Sequence, residues 1–107
     1  MSVQTPEGKV KDFVKKYMIK TFPGAWVYSP PGSVFGRAGT PDLLYLWRGV
    51  MIAIEVKSDV GKLQDSQKHQ LELLAKNGAV SAVIYGKDKT KLSLIHLAVM
   101  KKLEEKA

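Results

Sequence analysis

Asp42, Glu55 and Lys57 are the side chains whose types and spacing suggest chemistry. Residues two apart on a strand point to one face. If Val50 to Val56 is a strand, Glu55 and Lys57 therefore share a face with Ala53, leaving Ile52, Ile54 and Val56 on the other. A second apolar run, Leu43 to Trp47, precedes it, and Arg48-Gly49 between them reads as a hairpin turn. Trp47 then faces Val50, and the same register sets Asp42 opposite Glu55 with Cβ atoms about 4.5–5.5 Å apart. A slip of one residue would turn Asp42 to the opposite side. Two carboxylates that close repel and raise a pKa unless something cationic lies between them. Lys57 supplies one positive charge; a magnesium ion supplies two and prefers oxygen ligands. Such a centre suits phosphodiester hydrolysis. The ion polarises the phosphate and lowers the pKa of a bound water, and the ammonium orients that water or offsets developing negative charge.

The elements that must hold this hairpin are legible on either side. Thr5-Pro6 reads as an N-cap followed by proline at the first helical position. Val10, Phe13, Val14, Tyr17 and Met18 then recur at helical spacing up to Phe22, and Pro23-Gly24 breaks the helix. Ala25 to Ser29 reads as a short strand, followed by a glycine- and proline-rich loop from Pro30 to Pro41 that exceeds a simple connection. Beyond the hairpin, a loop over Ser58 to Gln64 leads to a helix capped by Asp65 or Ser66 and ended by Asn77-Gly78. Ala79 to Tyr85 is an expected strand, Gly86 to Lys91 a basic turn, Leu92 to Leu97 another strand, and Ala98 to Lys106 a short terminal helix. The order α-β-β-β-α-β-(β)-α mixes antiparallel and parallel connections, with helices on both faces of one sheet. Trp26, Tyr45 and Trp47 are read as core aromatics rather than base-stacking platforms.

Composition narrows the partners. The 107 residues suit one domain over 1–107, with hydrophobic content of 45% and charged content of 25% in the ordinary globular range. The absence of cysteine excludes disulfides, thiolate metal sites and a cysteine nucleophile. The two histidines, His69 and His96, are read as structural or surface residues, since they form no ligand pair at metal spacing. No segment approaches the ~20 apolar residues of a membrane span, and the N-terminus lacks the apolar run of a secretory signal. A reducing, cytoplasmic compartment is expected. The net charge is +7, concentrated on the flanks, where residues 1–21 and 86–107 each carry a lysine surplus of three. Polyanions are the first partners this suggests, although surface lysines also serve solubility alone.

Gly39-Thr40-Pro41-Asp42, then Ile54-Glu55-Val56-Lys57, then Gln67 on the following helix, resemble the VRR-NUC branch of the PD-(D/E)XK nucleases. The resemblance runs from about Glu7 to Tyr85. It implies a restriction-endonuclease-like α-β-β-β-α-β core with a mixed central sheet flanked by helices. It implies Asp42, Glu55 and the backbone carbonyl of Val56 as magnesium ligands, with manganese able to substitute, and Lys57 as the catalytic lysine. Glu7 matches the family's acidic residue on the first helix, which reaches the metal directly or through water. Gln67 matches the helix glutamine at the edge of the site. Stand-alone chains of this size resemble phage and bacterial Holliday-junction resolvases, homodimers that act on branched DNA.

Each residue also has a plainer reading. Asp42 is a residue type common in turns after proline. Lys57 is a sufficient ion-pair partner for a buried Glu55. Glu7 favours the helix dipole without further role, and Gln67 is a polar amide in an apolar stripe that needs a hydrogen-bond partner of any kind. Arg37 and Lys62, on the loops flanking the expected site, suit phosphate contact or simple solvation, as does Ser33. At the level of the whole chain, the alternatives to a DNA endonuclease are a DNA-binding module that keeps the fold without the chemistry, or a structural RNA-binding protein. Neither needs the convergence of Asp42, Glu55 and Lys57.

Overall fold

The computed structural model describes residues 4–30 and 38–106. Its elements are α1 (Pro6–Thr21), β1 (Trp26–Tyr28), β2 (Leu43–Trp47), β3 (Val50–Lys57), α2 (Asp65–Lys76), β4 (Val80–Tyr85) and α3 (Lys89–Lys106). The Thr5 hydroxyl accepts the Gly8 N–H at 3.0 Å and caps α1, whose Val10, Val14 and Met18 are buried. Pro23-Gly24 ends it as expected, Gly24 taking a φ of 80°.

The strands form one sheet in the order β1-β2-β3-β4, the first two pairings antiparallel and the last parallel. Trp47 pairs with Val50 and Leu43 with Ile54, which is the register anticipated from the Arg48-Gly49 turn. Both turn residues have positive φ, 50° and 81°, the geometry whose twist matches that of the flanking strands. Arg48 lies over the Trp47 ring at 4.4 Å from its centroid.

Alternation along β2 and β3 divides the sheet into two faces. Leu43, Tyr45, Trp47, Val50, Ile52, Ile54 and Val56 pack with Val14, Met18 and Phe22 of the α1 segment and with Leu92, Ile95 and Val99 of α3. The opposite face carries Ala53 and Ser81, and there the Ser81 hydroxyl donates to the Leu71 carbonyl of α2 at 2.8 Å. Helices α1 and α3 thus cover one face, and the β3–α2–β4 crossover places α2 on the other, over β3 and β4.

Three local expectations are corrected. Residues 92–97 are not a strand: α3 begins at Lys89 and runs unbroken, its Asp88 carboxylate accepting the Lys91 N–H at 3.0 Å. Leu92, Ile95 and Val99 are buried at helical spacing, while Leu94 and Leu97 point outward and are exposed. Those outward leucines supplied the alternation that imitates a strand. Helix α2 is capped by Gln64, not by Asp65 or Ser66, because Gln67 reaches back to the Gln64 N–H at 2.9 Å in a capping box. Trp26 is not a core residue; it is 56% exposed, since α2 leaves the β1–β2 half of its face uncovered. Tyr45 and Trp47 are buried as expected. Among the described residues, no helix is long and apolar enough to cross a membrane.

Candidate active site

The turn Gly39-Thr40-Pro41-Asp42 delivers the first carboxylate. Gly39 has a φ of 80°, and a Cβ there would stand 2.3 Å from the Ser66 carbonyl oxygen. Only glycine allows the turn to lie this close to the first turn of α2. Asp42 then enters β2 directly opposite Glu55, and its N–H donates to Glu55 Oε1 at 3.2 Å. Its own Oδ2 accepts the Val56 N–H at 2.9 Å. Each residue therefore fixes the other's strand through a side-chain to backbone bond.

Proline at position 41 shapes the third oxygen. The alternation of β3 sends the Lys57 carbonyl toward β4, where it accepts the Gly86 N–H at 2.9 Å, and hence the Val56 N–H and carbonyl toward β2. The residue of β2 that would donate to that carbonyl in a continued ladder is residue 41. Proline has no N–H to give. The ladder therefore supplies no N–H for the Val56 carbonyl at that rung.

Glu55 is the centre of the cluster and is only 2% exposed. Its Oε2 accepts Gln67 Nε2 at 2.6 Å and lies 3.6 Å from Lys57 Nζ. Burial first, then the charge of Asp42, pushes the Glu55 carboxyl from the ordinary 4.5 up to about 8; Lys57 and the Asp42 N–H act in the opposite sense without cancelling that rise. Lys57 is itself buried, its stem packed under the 58–61 loop with Gly61 approaching its Cβ.

Gln67 thus has two duties, capping α2 through its oxygen and orienting Glu55 through its nitrogen. The polar amide in an apolar stripe finds its partner at the site. Leu71 of that stripe is buried, Leu74 half-buried and Ala75 exposed. Ser29 is a contributor that the sequence did not reveal. Its hydroxyl donates to the Asp42 carbonyl at 3.3 Å, a contact that exists only once β1 pairs with β2.

The remaining candidates stand apart from this cluster. Glu7 is exposed in the first turn of α1 and makes no hydrogen bond or ion pair to Asp42, Glu55 or Lys57 among the described residues. Lys62 is exposed on the loop before α2. Arg37 and Ser33 lie outside the described residues. His69 is exposed, and His96 packs edge-on to Phe22 at 5.5 Å, consistent with surface and structural roles.

Among the described residues, no three His, Asp or Glu side chains gather to hold a metal. The available donors are two carboxylates and the Val56 carbonyl, all hard oxygens. Magnesium is commonly held by one or two carboxylates, completing its shell with water and phosphate. The donor set fits, and a divalent charge would relieve the repulsion that raises the Glu55 pKa.

The sequence profile of the VRR-NUC domain matches residues 35–88, a span that includes Asp42, Glu55, Lys57 and Gln67. Two solved structures are similar along most of the chain. A VRR-NUC domain shares 33% identity at a TM-score of 0.65, covering 85% of this chain and 95% of its own. A VRR-NUC domain protein shares 26% identity at a TM-score of 0.67, covering 90% of this chain and 89% of its own. No curated protein matches the sequence.

Proposed function

Because the chain belongs to the VRR-NUC family of nuclease domains, we propose that it is a magnesium-dependent, structure-selective endonuclease that hydrolyses phosphodiester bonds in branched DNA such as four-way junctions. The observation that carries the reading is the convergence on Glu55 of the Asp42 N–H, the Gln67 amide and the Lys57 ammonium. Asp42, Glu55 and the Val56 carbonyl would hold the ion, with Glu7 reaching it directly or through water from the start of α1. When bound, magnesium supplies charge to polarise the scissile phosphate and acidify a water. Lys57 would orient the attacking water, whose proton passes to solvent, and would offset the negative charge that develops as the phosphorus–oxygen bond to the leaving strand breaks. Gln67 keeps Glu55 Oε1 turned toward Asp42. Lys62, Arg37 and Ser33 contact flanking phosphates.

One centre per chain suits a homodimer, in which two-fold symmetry presents paired centres to the two strands of a junction. The working compartment is the cytoplasm of a bacterial or phage-infected cell. The decisive experiment incubates the pure protein with linear, flapped and four-way-junction DNA in magnesium, manganese or chelator. Junction cleavage is expected with either metal and none in chelator. Glu55→Ala and Lys57→Ala are each expected to abolish it while retaining DNA binding. Unchanged cutting by either variant sinks the assignment. Calorimetry with magnesium alone separates the nuclease from a binding module that keeps the fold, since the latter has no saturable ion site.

A further inference from the structure

Trp26 and Tyr28 lie on the sheet face that carries the candidate centre. Trp26 pairs with Leu46 and Tyr28 with Leu44, while Leu44 pairs in turn with Ala53, two residues before Glu55. Cross-strand partners share a face, so both rings stand on the face of Asp42 and Glu55, away from α1 and α3, with Tyr28 nearer the acids and Trp26 two residues farther along β1. The rings are stacked on each other, with centroids 6.0 Å apart and planes 25° from parallel. Both are open to solvent, at 56% and 46% exposure.

Resting on the nuclease reading of the centre, we propose that this aromatic pair is a stacking platform for an unpaired nucleobase next to the phosphate being cut. Tyr28 is one strand over from Leu44, about 5 Å, and Leu44 is two residues from Asp42, about 7 Å. That is within the reach of one nucleotide. A base inside a duplex has both faces covered by its neighbours, so only an unpaired or frayed base can offer one to a side chain. Trp26, Tyr28 and the 42%-exposed Leu46 form a narrow shelf. Its width suits a base, whereas a stable protein interface uses roughly 20–30 residues a side. The net charge of +7 favours the polyanion that brings the base. A platform of this kind would favour branch points at which a base next to the cut frays out of its pair.

The test is a fluorescence titration of the full chain in chelator, where no cleavage intervenes. Trp47 is buried and Trp26 exposed, so a base stacking on the shelf quenches Trp26 emission. A short single-stranded oligonucleotide is expected to quench strongly, and a blunt duplex of equal phosphate concentration weakly. Trp26→Phe is expected to remove the quench while keeping binding, and Trp26→Ala to weaken single-strand affinity on the order of ten-fold. Equal quenching by duplex, or a quench that persists in Trp26→Phe, overturns the platform. So does a change of sedimentation from dimer to monomer in folded Trp26→Ala, which would make this shelf an interface between copies. The nuclease reading fails separately, on the cleavage assay with magnesium.

Discussion

The Asp42 N–H donates to Glu55 Oε1 while the Asp42 carboxylate accepts the N–H of the next residue, Val56. These bonds hold a half-buried Asp42 against a buried Glu55 despite their charge. The arrangement tethers stability and function to the same pair.

A pH dependence follows from Glu55. Its carboxyl is raised from 4.5 to about 8 in the folded chain, so the native state binds an extra proton between those values and stability falls as pH rises through that window. The slope from this group is about 1.4 kcal/mol per pH unit. Urea titrations in chelator from pH 5 to 9 are expected to show it. Glu55→Gln should flatten the profile, and added magnesium should flatten the wild-type profile too.

Lys57→Met tests the ammonium while keeping the apolar stem. The side chain is buried, so the substitution should preserve the fold, and cleavage is expected to fall by roughly 10²–10³-fold, as when a group aimed at transition-state charge is removed. Single-turnover rates at saturating enzyme, beside melting curves, separate lost chemistry from lost folding. A rate within a few-fold of wild type makes Lys57 only a structural partner of Glu55.

Gln67 can be split into its two contacts. Gln67→Glu keeps an oxygen for the Gln64 N–H but puts a carboxylate against Glu55 Oε2. Gln67→Ala loses both, and the lost cap alone costs about 1 kcal/mol. The alanine variant is expected to melt lower with moderately reduced cleavage. The glutamate variant should retain helix α2 and lose more activity, with tighter dependence on magnesium concentration.

Gly39→Ala addresses the turn that carries Asp42. A methyl group would meet the Ser66 backbone at 2.3 Å in a conformation of positive φ. Destabilisation on the order of 1–3 kcal/mol is expected, together with weaker magnesium binding as Asp42 is displaced. Denaturant midpoints and calorimetry measure the two effects. An unperturbed variant in both would show that the turn does not position the acid.

Local order was largely written in the chain: the Thr5-Pro6 start, the Arg48-Gly49 turn, the Asn77-Gly78 stop and the pairing of residue 42 with residue 55 all follow from short-range rules. A two-residue turn leaves one register for the hairpin, and period-two alternation then assigns every side chain of β2 and β3 to a face. Residues 92–97 resemble a strand in sequence because the exposed leucines of α3 fill positions that a helical pattern reserves for polar residues, and periodicity cannot tell which apolar side chains a partner element will cover. The same limit hid Trp26, an apolar residue whose exposure depends on α2 covering only the β3–β4 half of the sheet. What the sequence determined by itself was which groups meet across the hairpin. Only tertiary structure decided their environment: the burial that raises Glu55, the Gln67 amide brought in by α2, the Ser29 bond from β1 and the aromatic shelf left uncovered beside them. Contacts between residues near in sequence obey local geometry, whereas burial is a property of how separate elements pack, and no single segment contains it.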